Sequence, residues 1–123
     1  MMTGPVEIVQ EQLEAYNARD LDRFAATYAS DIRIYRMPAT EPAIVGHSKL
    51  REVYAKRFSS AGLHATIVNR IAVGDKVIDH ERVVGIEAGP IEAVAVYQVA
   101  DGLIRNVWFF YPADKPFALP KGQ

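Results

Sequence analysis

The 123-residue chain has no cysteine. This excludes disulfides, thiolate nucleophiles and thiolate metal ligands, and it suits a reducing compartment. No apolar run approaches the ~20 residues that a membrane-spanning helix needs. Met1 to Pro5 carry neither a basic segment nor an apolar signal core, so a cytoplasmic location is expected. Charge of one sign is also missing: 14 Lys and Arg stand against 15 Asp and Glu, with no block of either. Nucleic acid and anionic membrane surfaces are therefore not expected as partners. The three histidines share no ligand spacing, so neither a metal nor another cofactor is expected. What is present is a soluble globular balance, 50% apolar and 24% charged, in a length that makes one domain over residues 1–123.

The hydrophobic period changes once along the chain. Pro5 suits a first helical turn, and Val6, Val9, Leu13 and Tyr16 then recur at spacings of three and four, which predicts a helix to about Ala18. Asp20 reads as the N-cap of a second helix that buries Leu21, Phe24, Ala25 and Tyr28 and stops near Ser30. A short strand over Ile32 to Met37 and a proline-bracketed loop, Pro38 to Pro42, lead to a third helix from Ser48 to about Ser60, with Gly62 at its C-cap. Beyond it the pattern is all strand: 63–73, 76–87, 91–100 and 103–111, turning at Gly74-Asp75, Ala88-Gly89-Pro90 and Asp101-Gly102. The core spans about 5–112. Pro112, Pro116 and Pro120 mark a tail, 113–123, expected to wrap the surface. This order predicts an α+β fold in which a curved antiparallel sheet grips three N-terminal helices on one face.

Four ionisable residues in a row, Asp79-His80-Glu81-Arg82, interrupt an apolar strand between Val77-Ile78 and Val83-Val84. Strand alternation puts His80 and Arg82 on one face with Ile78 and Val84, and Asp79 and Glu81 on the other with Val77 and Val83. Whichever face covers the core takes two ionisable groups with it, and each then needs a partner or a purpose. Counting outward from a two-residue turn at Gly74-Asp75 sets Arg70 opposite Asp79, as an ion pair, and Asn69 opposite His80, as a hydrogen-bond partner. The charge-paired face is expected to be solvated or interfacial. The Ile78, His80, Arg82, Val84 face is expected to line a pocket.

The segment Tyr16-Asn17-Ala18-Arg19-Asp20-Leu21-Asp22, the stretch Gly46-His47 through Leu50-Arg51 and Tyr54, and the closing hairpin from Asp101 to Trp108 resemble the nuclear transport factor 2-like superfamily. Within it the chain is most similar to the bacterial SnoaL-like, steroid-isomerase-like group. That resemblance implies a cone-shaped cystatin-like fold enclosing one deep pocket, and a homodimer formed through the back of the sheet. It implies no particular reaction, since the fold hosts isomerases, cyclases, hydrolases and binding domains.

Carried across by resemblance, the catalytic positions of ketosteroid isomerase fall on Arg36 or Met37 for the base, Gln12 for the tyrosine and Ala95 for the acid. That mechanism is therefore not expected. Limonene-epoxide hydrolase has Glu-Arg-Val-Asp where this chain reads Glu81-Arg82-Val83-Val84, which implies that Arg82, Val84 and Phe109 face the cavity without that enzyme's two aspartates. The expected site has His80 as general base and Arg82 as oxyanion or carboxylate anchor. Tyr16, Arg36, Asn69, Val84, Tyr97 and Phe109 are its expected lining and ligand contacts. Arg82 has an alternative structural role, an ion pair with a helix carboxylate such as Glu14. Asp79 and Glu81, flanked by Val77 and Val83, are expected on the outer face that forms the dimer. Two functions follow from this reading: an isomerase, cyclase or lyase acting on a small apolar carbonyl compound, or a non-catalytic domain that holds an acidic apolar metabolite.

Overall fold

Pro5, placed in the first turn where its missing N–H costs nothing, starts helix α1 (Pro5–Ala18), which ends at Arg19 in the left-handed region at φ 54°. Asp20 caps the Arg23 amide of α2 (Leu21–Ala25), as the sequence predicts. The second helix is only five residues long, because Tyr28, Ala29 and Ser30 already belong to strand β1 (Tyr28–Arg36). A two-residue strand, β2 (Ile44–Val45), precedes helix α3 (Gly46–Phe58), whose C-cap is Ser59 rather than the expected Gly62. Four strands follow: β3 (His64–Val73), β4 (Lys76–Val84), β5 (Ile91–Ala100) and β6 (Leu103–Phe110). The computed structural model describes residues 4–112, and the expected tail lies outside them.

The sheet is curved, unclosed and mixed, in the order β2-β1-β6-β5-β4-β3. The antiparallel meander of β3 to β6 is the one its turns predict, and Asp101 and Gly102 take the positive φ values, 55° and 76°, that a tight hairpin requires. Register in the first hairpin also follows the count from Gly74: Arg70 faces Asp79 and Asn69 faces His80. One irregularity interrupts it between Ile67 and Asn69, and beyond it Ile67 faces Glu81. The parallel pairing of β1 with β6 adds a non-local connection that no turn signals.

The helices pack on one face of the sheet. An aromatic cluster of Tyr16, Phe24, Tyr28, Tyr54 and Phe58, with neighbouring centroids 4.7 to 6.3 Å apart, joins α1, α2 and α3 to the start of β1. The Asn17 amide bonds both backbone groups of Ala65, donating at 2.9 Å and accepting at 2.8 Å, and so ties α1 to edge strand β3. Arg19 donates to the carbonyls of Ala61 and Leu63 at 3.2 Å and holds the loop before that strand. Gly85, at φ 93°, ends β4 against this loop. A Cβ there would lie 2.5 Å from the backbone of Gly62, so no other residue fits the approach.

Candidate functional site

Helix packing decides which face of β4 is inside. Val77 and Asp79 are fully buried and Val83 nearly so, while Arg82 and Val84 are exposed. Across the ladder, Val77, Asp79, Glu81 and Val83 meet Tyr97, Ala95, Ala93 and Ile91, so the concave face carries two carboxyl groups in an otherwise apolar wall. A cavity lies between this wall and the helices. Gln12, Leu13 and Tyr16 come to it from α1, Tyr54 and Arg57 from α3, Ala65 and Ile67 from β3, and Phe109 and Tyr111 from the end of β6. Counting its open mouth, the empty space is about 570 Å³.

The two carboxyl groups differ in their surroundings. Asp79 is 1% exposed and accepts two hydrogen bonds from Arg70, from Nε at 2.6 Å and Nη2 at 2.9 Å. Arg70 Nη1 donates in addition to Gln10 Oε1 at 2.8 Å, linking the pair to α1. A bidentate, nearly dry pair of this kind holds Asp79 in place and leaves it no part in proton transfer. Glu81, two residues on and on the same face, makes no hydrogen bond or ion pair among the described residues. Burial, and then the neighbouring Asp79 charge, push its carboxyl up to about 8, against the lowering influence of Arg57 and Arg70. At neutral pH it is mostly a carboxylic acid, able to donate a hydrogen bond and to exchange a proton close to the working pH.

Beside Glu81 stands a second polar pair. Arg57 Nη1 donates to the Tyr16 hydroxyl at 3.0 Å, and its guanidinium carbon sits 5.4 Å from the Tyr54 ring centroid. Burial, more than the opposing Arg57 charge, raises the Tyr16 phenol far above its ordinary value, so it stays protonated and keeps its own hydrogen to donate.

The site proposed from sequence is thus turned over. His80 and Arg82 lie on the outer face, with side chains 40% and 50% exposed, and both reach Glu92 on β5: His80 Nε2 at 2.6 Å from Oε1 and Arg82 Nη2 at 3.3 Å from Oε2. His80 borders a groove there with Glu92, Val94 and Phe110, and neither residue lines the cavity. Glu14, the suggested partner of Arg82, reaches Arg23 instead. Val84 is exposed on that same outer face, and Asn69 is exposed on β3, where its Oδ1 accepts from the Arg70 amide rather than meeting His80. Of the three residues that the epoxide-hydrolase comparison set towards the cavity, Phe109 lines it while Arg82 and Val84 do not, and Asp79 and Glu81 stand in its wall instead.

Tyr16, Tyr97 and Phe109 do stand in the cavity wall. Arg36 is not part of the lining; it hydrogen-bonds the Tyr111 side chain, and its Nε is buried with no partner among the described residues. The Arg70–Asp79 pair forms as expected but inside the fold, and Val77 and Val83 point inward, which removes the original ground for a dimer through their face. Glu81 and Arg57 were missed. A signal for the first existed: β5 alternates Ile91, Ala93, Ala95, Tyr97 and Val99 with Glu92 and Gln98, and its register with β4 sets Glu92 opposite Arg82. Arg57 lies 41 residues from Tyr16 in sequence, and nothing local joins them.

The SnoaL-like domain model matches residues 9–107. No curated protein matches the chain at a significant level. Among solved structures, an uncharacterized cystatin-fold protein from Novosphingobium aromaticivorans is 23% identical, with a TM-score of 0.80 over 87% of this chain and 97% of the other. An LEH-like epoxide hydrolase from Mycobacterium tuberculosis is 18% identical, with a TM-score of 0.76 over 89% and 84%. A candidate ketosteroid isomerase from Kribbella flavida is 23% identical, with a TM-score of 0.69 over 92% and 79%. At these identities the likeness is one of fold, and the chemistry has to be argued from the cavity.

Proposed function

Since the chain belongs to the SnoaL-like domain family, a fold that encloses one site and leaves its chemistry to the lining, we propose that it is an acid–base enzyme of the isomerase, cyclase or lyase kind, acting on a small, flat, largely apolar carbonyl compound. The observation that carries this is Glu81, a carboxyl on the cavity wall with no hydrogen-bond or ion-pair partner among the described residues and a pKa near 8. A half-buried acid without a partner among the described residues costs stability, and a proton-transfer task explains its retention. About a tenth of Glu81 is ionised at pH 7, enough to take a proton from the carbon next to a carbonyl and return it elsewhere on the same molecule. The Tyr16 hydroxyl, held by Arg57, supplies a donor for the oxyanion that then develops. Tyr97, Phe109 and Val83 give this step the apolar surroundings that strengthen both interactions.

The test is deuterium exchange at the α-carbon of cyclohex-2-enone, 1-indanone and 2-tetralone in D2O, followed by NMR. The protein should accelerate exchange of at least one ketone, and Glu81→Gln should lose about 100-fold or more of that rate. No acceleration above buffer, or a fully active Glu81→Gln, would leave the domain as a binding module, the alternative function.

We propose further that the domain is a homodimer through the outer sheet face, now on different grounds: Val84, Val94 and Phe110 are all more than a third exposed there, around the Glu92 ion pairs. Light scattering should give twice the chain mass at tens of micromolar, and Val94→Asp should halve it. A monomer mass for the unaltered protein would refute the assignment.

A further inference from the structure

Arg57 brings a positive charge to the wall of the cavity without bringing its counterion. Its Nη1 is satisfied by the neutral Tyr16 hydroxyl, its face lies against the Tyr54 ring, and its Nη2 is buried with no hydrogen-bond partner among the described residues. Among the described residues no carboxylate lies within ion-pair distance of it, whereas Arg70, Arg82, Arg23 and Arg105 each have one. A buried guanidinium with an unmet N–H is costly, and occupation of the cavity by an anion relieves both the charge and the donor. We infer that Arg57, oriented by Tyr16, is an anion subsite of the cavity, and that the ligand it takes is a small flat monocarboxylate whose oxygen accepts from Nη2.

Several observations fix the chemical class. Tyr16, Tyr54, Tyr97, Phe109 and Tyr111 give the cavity an aromatic wall, which suits a flat apolar body able to lie against their rings. A planar fork with one N–H already committed to Tyr16 presents its remaining edge to one oxygen anion, as a carboxylate offers. The charged and titratable groups around the site are Glu81 and Asp79 on β4, Arg70 on β3, Tyr28 and Arg36 on β1, Tyr16 on α1, Tyr54 on α3, Tyr97 on β5 and Tyr111 after β6. Asp79 is neutralised by Arg70 and the phenols are raised above their ordinary range, so Glu81 is the group whose charge changes near neutral pH. Protonated, it is no rival for Arg57. Ionised, it both satisfies Arg57 by charge and repels an incoming anion. The inference deepens the acid–base reading, on which it rests for the cavity's role, and names the handle by which the substrate is held.

Benzoate and benzamide, equal in shape and differing in charge, serve as probes in an NMR titration of the intact protein. Benzoate should perturb the Tyr16 and Arg57 resonances with an affinity at least about tenfold above that of benzamide. Arg57→Met should erase the difference, and Arg82→Met on the outer face should preserve it. Benzoate affinity should fall as pH rises through 8, and Glu81→Gln should bind benzoate without that fall. Should Arg57→Met fail to fold, Arg57→Lys keeps the charge while losing the fork, and it should reduce the preference. Equal binding of the two probes, binding of neither, or benzoate binding unchanged in the Arg57 variants would overturn the inference. The ketone-exchange result stands apart from all three outcomes, because Glu81→Gln loses exchange while retaining benzoate.

Discussion

Replacing Arg70 by methionine is expected to cost about 3 to 5 kcal/mol of folding stability, the largest loss from any single polar change considered for this protein. The guanidinium makes two short bonds to a carboxylate that is 1% exposed, and its own side chain is only 19% exposed, so solvent cannot take its place. Without Arg70, Asp79 is left as a buried charge beside Glu81, and the bond to Gln10 on α1 is lost as well. Asp79→Asn should cost less, because an amide can still accept from Arg70 and leaves no bare anion. Urea unfolding of both single variants and of the double variant closes a thermodynamic cycle, in which the double should be more stable than the sum of the two singles predicts. A loss below about 1 kcal/mol for Arg70→Met would show that the pair is open to water.

The second large effect is a pH dependence that isolates Glu81. Its pKa rises from the ordinary 4.5 to about 8 on folding, so the folded state binds this proton more tightly than the unfolded chain does. The stability associated with the protonated carboxyl is complete below about pH 4.5 and is lost progressively as pH rises through 8. At about 1.4 kcal/mol per unit, the total is on the order of a few kcal/mol, reduced because the carboxyl faces the cavity rather than solid core. Glu81→Gln carries a neutral group at every pH. Its stability relative to the unaltered protein should therefore climb between pH 4.5 and 8 and level off above. The difference between the two curves is the quantity to read, since groups common to both cancel. The lowered carboxyls are among these: Glu11, held down by its bond from Arg23, and Glu92, held down by its bonds from His80 and Arg82. Asp79→Asn removes a charge that raises Glu81 and should move the midpoint to lower pH, visible in the carboxyl carbon shift of labelled glutamate. Parallel stability curves for the protein and Glu81→Gln would show that Glu81 titrates alike in both states and would withdraw it as the acid–base group.

Local signals carried much of the architecture. Pro5, the Asp20 cap and the 3.6-residue apolar spacing define α1 and the start of α2, because helix ends are set by groups within one turn. Gly74-Asp75 and Asp101-Gly102 set hairpin register for the same reason, so the Arg70–Asp79 and Asn69–His80 neighbours can be counted from the turn. Where α2 stops was not legible. Tyr28 continues the helical apolar spacing, but its burial against Phe24 is met equally well in a strand, and the pairing of β1 with β6 takes it.

By itself, then, the sequence determined that one strand carries four ionisable groups, that Arg70 and Asp79 are neighbours, and that one of two faces had to bring a charged pair indoors. Which face that was, only the tertiary structure decided. Ile78 and Val84 on one side balance Val77 and Val83 on the other, so β4 has no preference of its own. The helices bind the side on which β5 adds Ile91, Ala93, Ala95 and Tyr97, leaving Glu92 outside to pair His80 and Arg82. The meeting of Tyr16, Arg57 and Glu81 was decided in the same way. It joins α1, α3 and β4 across a cavity, and side chains on separate elements are brought together by packing, which no spacing along the chain encodes.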